Sequence, residues 1–208
     1  MYSAIVFLPL LGAAIAGLFG RILGARPSEL ISTGLLLVSA VLSCYAFYDV
    51  ALMGHGQVLQ IFQWIHSGDF AADWTIRVDT LTAVMLVVVA GVSSLVHVYS
   101  IGYMHEDPHR PRFFAYLSLF TFAMLMLVTA DNFLQLFFGW EGVGLASYLL
   151  IGFWYEKPSA NAAAMKAFVV NRVGDFGFAL GIFGVFFIFH SLDFDTVFRA
   201  APAMVGHT

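Results

Sequence analysis

The sequence has few charged residues and almost no cysteine. Of its 208 residues only 11% are charged, nine are Lys or Arg, and one, Cys44, is a cysteine. A soluble domain has about 25% charged residues, so a water-soluble globule would lack the polar surface it needs. So few basic residues, with a net charge of −4, also argue against a nucleic-acid partner. A lone cysteine excludes an intramolecular disulfide and a cysteine-rich zinc or iron–sulfur site. Because Cys44 lies within an apolar run, we expect a buried, unreactive thiol.

Recognisable ligand-binding motifs are also missing. The chain contains no GxGxxG or GxxxxGK[ST] sequence, and no set of His, Cys or carboxylates has metal-ligand spacing. The sequence therefore predicts no cofactor site and no metal site in this chain. The N-terminal apolar stretch has no basic region before it, which indicates a retained first span rather than a cleaved signal peptide.

Long hydrophobic runs are abundant. Hydrophobic residues make up 61% of the chain, aromatic residues 16%, and mean hydropathy is +0.87. A spanning helix needs about 20 mostly apolar residues. The sequence therefore predicts an all-α polytopic membrane protein, embedded in a lipid bilayer, with about six transmembrane helices. The six runs are Tyr2–Gly20, Leu30–Leu52, Leu81–Tyr103, Phe113–Ala130, Asn132–Tyr155 and Ala162–His190.

Polar residues mark the ends of these runs. Pro27 and Ser28 are expected to open the second helix, with Glu29 just outside the span at its N-terminal end, where the helix dipole favours an acid. Asn132, with the preceding aspartate, is expected to cap the fifth helix. The tail Ser191–Thr208 is expected to be loop-like.

The connections between spans alternate in charge. By the positive-inside rule, the basic connections lie on the inner side of the membrane, which places the N-terminus outside. The basic residues are Arg21 and Arg26, then Arg110 and Arg112, then Lys157 and Lys166. The other connections hold Asp49, Asp69, Asp73 and Asp79 with Arg77, then Asp131, then Asp193 and Asp195 with Arg199.

The connection from Met53 to Asp79 is too long for a plain turn. Trp74–Asp79 alternates apolar and polar residues, which is the period of a β-strand, and Ser67–Asp69 is a turn signal. The sequence predicts a short β-hairpin on the outer membrane surface between helices 2 and 3. Trp64 and Trp74 are expected in the interfacial belt.

Glu141 is the clearest candidate for chemistry. It lies about nine residues past Asn132, hence roughly 13 Å into a hydrocarbon core of about 30 Å. A charge at that depth costs roughly 3 kcal/mol, so an ionisable side chain there needs a partner or a function. The favoured interpretation is a proton carrier; the alternative is a permanently protonated acid that only bonds neighbouring helices.

The sixth run adds a polar arc. Asn171, Arg172 and Asp175 fall within about 100° of one another on a helix, and Arg172 reaches a depth comparable with that of Glu141. Two interpretations stay open: Arg172 and Asp175 neutralise each other at i, i+3, or they take part in a proton path. A nearly opposite face carries glycines, expected to pack against another helix: Gly174, Gly177, Gly181 and Gly184.

Other polar residues in the spans carry less weight. Lys166, early in the sixth run, is expected either to extend to the surface or to supply protons from the inner side. For His97 an interhelical hydrogen bond is favoured over titration. Tyr148 shares the face of Glu141 and could extend a hydrogen-bonded chain.

From Asp73 to Gly181 the sequence resembles the antiporter-like subunit L, or subunit 5, of respiratory NADH:quinone oxidoreductase (complex I). The motifs are DWTIRVDTLTAVMLVVV, HEDPHRPRFFAYLSLF, GWEGVGLASYLLIGFWYEKPSANAAAMKAF and NRVGDFG. The resemblance implies proton transport and a multi-pass location in the bacterial cytoplasmic or mitochondrial inner membrane. It assigns functional charges to Glu141, Arg172 and Asp175. It also implies that NADH, FMN, iron–sulfur clusters and quinone are bound by other subunits, among them membrane subunits that would be partners of this chain.

Members of this family are longer than this chain. They have more than a dozen spans, and a broken seventh helix carries a lysine that pairs with the family's glutamate. Residues 1–208 are therefore expected to be the N-terminal part of such a subunit, truncated relative to the family and without activity when isolated. Two alternatives are the large subunit of a multi-component sodium/proton antiporter or membrane hydrogenase, and a non-conducting membrane scaffold.

Overall fold

The computed structural model describes residues 1–68 and 70–204. Within these residues, six helices are long and apolar enough to cross a membrane, and a two-stranded hairpin separates the second from the third. The predicted all-α architecture with six spans and a hairpin is confirmed. The long helices are α1 Tyr2–Leu23, α2 Ala25–Phe47, α3 Thr80–Tyr103, α4 Arg110–Val128, α5 Phe133–Ile151 and α6 Pro158–Phe189. A π-helical turn Tyr48–Leu52 extends α2, the strands are β1 Gln57–Ser67 and β2 Phe70–Val78, and α7 Phe194–Ala200 leads into a 3₁₀ turn Ala201–Met204.

The second helix begins earlier than expected. Gly24, with φ of 85°, makes the turn from α1, and α2 starts at Ala25 rather than at Leu30. Glu29 therefore lies in the second turn of α2, only 4% exposed, and is a residue of the helix itself. Its Oε2 lies 3.2 Å from Nη1 of Arg110 on α4, so a cation compensates the acid that burial would otherwise penalise.

The sequence predicted the start of α5 correctly but not the structure of the C-terminal tail. Asn132 caps α5 as expected, since its Oδ1 accepts a hydrogen bond of 2.8 Å from the backbone N–H of Gln135. The tail Ser191–Thr208 was expected to be loop-like, and for residues 194–204, which form α7 and the 3₁₀ turn, this was wrong. Asp193 caps α7 by accepting from the backbone N–H of Thr196 at 2.9 Å. Residues 205–208 lie outside the described part of the chain.

The hairpin is longer than predicted. Its antiparallel register runs from Gln57 opposite Val78 to Ser67 opposite Phe70, with two irregularities in β1. Asp69, in the predicted turn, lies outside the described residues. Trp74 was expected at the lipid interface, but it is 8% exposed and packs against the rings of Phe62, Trp64 and Phe138. The hairpin thus folds onto the helices as part of the core.

The core lies at the hairpin end of α1–α4. Fully or nearly fully buried side chains from α1, the hairpin, α3 and α4 meet there: Ile5, Val6, Ile76, Val78, Leu86, Leu125 and Met126. Cys44 is exposed on α2, so the prediction of a buried thiol was wrong.

α6 is the outermost spanning helix of the described chain. Only Ala164, Asp175 and Ile182 are buried along its 32 residues. A Cβ built on any of its four glycines meets nothing within 4 Å, so no described helix packs against the glycine face. The packing predicted for those glycines is absent within the described residues, which leaves that face open.

Candidate functional site

The hairpin fixes the start of α5, the helix that carries Glu141. Gln135 donates through Nε2 to the carbonyl oxygen of Thr75 at 2.6 Å and accepts from the Thr75 backbone N–H at 3.1 Å. Asn132 donates to the carbonyl oxygen of Asp73 at 2.8 Å. Because Gln135 is fully buried, these bonds replace the water that its amide would otherwise need. We call the contacts of Asn132 and Gln135 with β2 the α5 anchor.

Two glycines determine which way Glu141 faces. A Cβ on Gly139 would lie 2.6 Å from the backbone of Leu127, and one on Gly142 would lie 3.0 Å from Cβ of Ala123. The backbones of α4 and α5 approach closely here because these positions lack side chains. At about 100° per residue, Glu141 points well away from the glycine face, and α6 is on that other side.

Arg172 joins two carboxylates at mid-span. Its guanidinium makes an ion pair with Glu141 through Nη2, and its Nε lies 3.2 Å from Oδ2 of Asp175. The Glu141 side chain is 25% exposed and that of Asp175 only 7%. The planar fork of arginine suits such bridging because its N–H donors point in fixed, separate directions. We call Glu141, Arg172 and Asp175 the charged triplet.

Two aromatic residues contact the charged triplet. Trp140 donates its indole N–H to Oδ1 of Asp175 at 2.8 Å, so each oxygen of that buried carboxylate has a partner. The guanidinium of Arg172 lies over the ring of Phe168, 4.8 Å from its centroid. The Arg172 side chain remains 42% exposed.

The charges of the triplet do not balance. With both acids ionised, two negative charges face one positive charge, because arginine stays protonated. Uptake of one proton by either acid makes the group neutral. Since an excess charge at this depth is unfavourable, the arrangement suits a site that holds or releases a single proton.

The structure brings together three of the four predicted site residues. Glu141, Arg172 and Asp175 meet, whereas Lys166 is exposed and forms no ion pair with any described residue. The pairing of Arg172 with Asp175 exists but is not exclusive, because Arg172 also reaches Glu141. Trp140 was missed. It directly precedes Glu141, but from the sequence its indole cannot be told from a lipid-facing one.

Two other predicted polar residues have separate surroundings. His97 is fully buried, with Nδ1 2.9 Å from the carbonyl oxygen of Ser93 and Nε2 3.0 Å from Oγ of Ser118 on α4. A carbonyl oxygen only accepts, so Nδ1 donates and Nε2 accepts from the serine. The interhelical hydrogen bond predicted for His97 is confirmed. Tyr148 lies on the wall of a cavity of about 400 Å³, which Tyr116 and Asn161 also line. No described residue forms a hydrogen bond with the Tyr148 hydroxyl.

A second charged cluster surrounds Arg77 at the hairpin end. Its guanidinium contacts Asp131 at 2.8 Å, Asp195 at 2.9 Å and Asp79 at 3.3 Å. Hydrogen bonds to Asp195 and Asp131 raise the pKa of Arg77 above its usual range. Burial raises the pKa of Asp131 despite the ion pair with Arg77. For Asp79 burial acts in the same direction, but hydrogen bonds from Thr82 and Arg77 outweigh it and lower its pKa. The cluster ties α7 to the hairpin and to the start of α5.

Comparison with known families gives two matches. Residues 64–114 match the family described as NADH-ubiquinone oxidoreductase (complex I), chain 5 N-terminus. Residues 130–208 match the family described as NADH:quinone oxidoreductase/Mrp antiporter, transmembrane region. The second match contains the whole charged triplet.

Individual relatives extend the match along the chain. NADH-ubiquinone oxidoreductase chain 5 of Triticum aestivum is 60% identical over 203 residues, 98% of this chain and 30% of the relative. NADH-quinone oxidoreductase subunit L of Rhodobacter capsulatus is 56% identical over 211 residues, 98% of this chain and 29% of the relative. The chain thus spans less than a third of the curated relatives it matches.

A solved structure shares the fold. A chain of the archaeal membrane-bound sulfane sulfur reductase, a respiratory membrane complex, matches with a TM-score of 0.80 and 18% identity, over 99% of this chain and 40% of that chain. Two successive family matches, identities above 50% along nearly the whole chain and six helices long enough to span identify it as a multi-pass membrane protein. The chain belongs to the family of antiporter-like membrane subunits that includes chain 5 and subunit L of NADH:quinone oxidoreductase.

Proposed function

We propose that this chain is the N-terminal part of a proton-translocating subunit of NADH:quinone oxidoreductase, in the bacterial cytoplasmic or mitochondrial inner membrane. The observation that carries the proposal is the charged triplet, in which Arg172 bridges two acids at mid-span. A group one proton short of neutrality, in a segment where excess charge is costly, is suited to bind and pass on a proton.

Each member of the triplet has a distinct role in this proposal. Glu141 takes up the proton, because its side chain is the more accessible of the two acids. Asp175 keeps Arg172 in place and stays ionised, held by Trp140 and by Nε of Arg172. When Glu141 is protonated its ion pair with Arg172 weakens, and when a further cation approaches the exposed part of the triplet the proton is released.

Lys166 is the proposed supplier of protons to the triplet. It lies six residues before Arg172 on α6, hence about 9 Å along the helix axis. It is exposed, so its ammonium group has access to water and to other spans of a longer subunit.

Electron transfer belongs to other subunits in this proposal. NADH, FMN, iron–sulfur clusters and quinone are bound elsewhere in the complex, and neighbouring membrane subunits are the partners through which the signal arrives. The chain itself supplies the titrating group and the cation that controls it.

The test is the substitution Glu141→Gln in the complete, assembled complex. Glutamine keeps the size and a hydrogen-bonding oxygen but cannot titrate, so the complex should assemble while proton pumping and coupled quinone reduction fall together. Glu141→Asp keeps the titrating group one methylene further back and should retain part of both activities. Pumping is followed with a pH-sensitive dye in reconstituted vesicles, and quinone reduction by the oxidation of NADH.

Glu156→Gln is the matched control, because Glu156 is an exposed acid in the connection between α5 and α6. It should leave both activities unchanged. An assembled Glu141→Gln complex that pumps at the unmodified rate would reduce Glu141 to a structural hydrogen bonder. It would also favour the alternative of a non-conducting scaffold.

A second candidate function comes from the description of the second family, which also names the Mrp antiporter. In that case the triplet would couple proton movement to sodium movement, with no electron transfer in the assembly. Sodium-dependent proton flux without NADH-driven quinone reduction, in the complex purified through this subunit, would establish this candidate over the first.

A further inference from the structure

A groove runs between α1 and α4 at the end of the bundle opposite the hairpin. Its volume is about 520 Å³, and small residues of both helices form its floor, among them Ala16, Gly17 and Ala115. The helices meet at Gly20, where a Cβ would lie only 2.6 Å from Cβ of Pro111. Gly17, one turn deeper in the span, is exposed, so the groove is open sideways toward lipid as well as toward the membrane surface.

Two arginines line the mouth of this groove. Arg21 lies in the last turn of α1 and is exposed, and Arg112 lies in the first turn of α4. Nη2 of Arg112 donates to the carbonyl oxygen of Phe153 at 3.0 Å, and its guanidinium lies over the ring of that residue. Within the described residues neither arginine forms an ion pair, and no acid lines the groove.

The position of these charges in the bilayer limits what they can bind. Both arginines lie at helix ends, hence at headgroup depth, and the first turn of α4 adds the partial positive charge of a helix N-terminus. The small residues below them leave an apolar channel that a bare anion would not use. Basic pockets between spanning helices on the cytoplasmic or matrix side of a membrane are suited to anionic lipid headgroups.

We propose that the α1–α4 groove binds an anionic phospholipid, with the phosphate between Arg21 and Arg112 and an acyl chain along Gly17 and Ala115. One basic residue near the membrane surface favours an anionic lipid by about 1 kcal/mol, or about fivefold in occupancy. The site is separate from the charged triplet and contains none of its residues.

The experiment uses the subunit in its assembled complex, in membranes that contain both anionic and zwitterionic phospholipids. A photo-crosslinking amino acid replaces Ala25, which lines the groove, and mass spectrometry identifies the attached lipid. Phosphatidylglycerol or cardiolipin should be enriched on the crosslink over its share of the membrane. Arg21→Gln should lower that enrichment about fivefold.

Arg26→Gln is the matched control. Arg26 is an exposed arginine five residues further along the same connection, and it does not line the groove. It should leave the enrichment unchanged. Gly17→Leu should lower it without removing a charge, because the added side chain fills the acyl channel.

Four results would overturn the proposal. The first two are crosslinks that reflect the bulk lipid composition and crosslinks to a polypeptide that covers the groove. The third is an equal loss of lipid enrichment in Arg21→Gln and Arg26→Gln. The fourth is loss of the lipid crosslink in excess inorganic phosphate but not in chloride of equal ionic strength. The last result would assign the groove to a free phosphate instead of a lipid.

Discussion

The substitution Arg172→Ala removes the one cation of the charged triplet. It leaves Asp175, whose side chain is 7% exposed, and Glu141, 25% exposed, without their shared partner. An unpaired charge at this depth costs about 3 kcal/mol, and keeping an acid of ordinary pKa protonated at pH 7 costs about 4 kcal/mol instead. The expected destabilisation is therefore about 3 kcal/mol, with loss of assembly or of pumping.

Asp175→Asn should be milder. The amide oxygen can still accept from Trp140, and Arg172 keeps its ion pair with Glu141. The loss is one charge-assisted hydrogen bond in a partly exposed pair, about 1 kcal/mol. Arg172→Lys is the matched control: the charge stays, but a single ammonium group replaces the fork, so an intermediate effect is expected.

The assay compares the assembled fraction on native gels and dye-measured proton pumping for the three variants in the complete complex. The expected order of damage to assembly is Arg172→Ala, then Arg172→Lys, then Asp175→Asn. If Asp175→Asn were as damaging as Arg172→Ala, the acid and not the bridging cation would be the central group. If all three pumped normally, the triplet would be only packing.

Three further predictions concern the orientation and packing of the bundle. A cysteine introduced next to Arg110 should be labelled only from the cytoplasmic or matrix side and one next to Asp69 only from the other; labelling of both from one side would contradict the topology. Gly139→Ala should lower the stability of the complex by about 1–3 kcal/mol, because the added methyl group forces α5 away from α4. Gly174→Ala should have little effect, because the added methyl group meets nothing within 4 Å in the described chain. Thermal unfolding of the complex compares the two variants. Asp79 caps α3 and has a lowered pKa, so the stability it contributes is present above about pH 4 and is lost as the pH falls further. Asp79→Ala should lower the free energy of unfolding by about 1 kcal/mol at pH 7 and should abolish this pH dependence in acid unfolding.

The spans could be read from the sequence because length and hydropathy alone decide whether a helix can cross a membrane. The members of the charged triplet could also be predicted from the sequence, because Glu141, Arg172 and Asp175 are charged residues at depths where a charge is costly. Helix ends were less predictable. Glu29 looked like an end marker because its compensating partner, Arg110, is 81 residues away in sequence.

The contacts of Trp74 and Trp140 could not have been predicted from local pattern. A tryptophan near a span end is usually interfacial, but Trp74 of β2 is buried between the hairpin and Phe138 of α5. A tryptophan within a span usually faces lipid or packs on apolar side chains, but Trp140 donates to a carboxylate on another helix. Lys166 is the opposite case: the sequence predicted a role in the site, but no described residue forms an ion pair with it. Such residues depend on tertiary neighbours that periodicity does not reveal.

The α5 anchor has a consequence for biosynthesis. Thr75 and Gln135 are 60 residues apart, and α3 and α4 must both be threaded through the membrane before they can meet. At about 5–20 residues per second of translation, β2 waits about 3–12 s for its partner on α5. During that interval an unpaired strand edge is exposed at the membrane surface, where it can pair wrongly or be cleaved. Substitutions at Gln135 should therefore reduce the yield of inserted protein more than the stability of protein that has already folded.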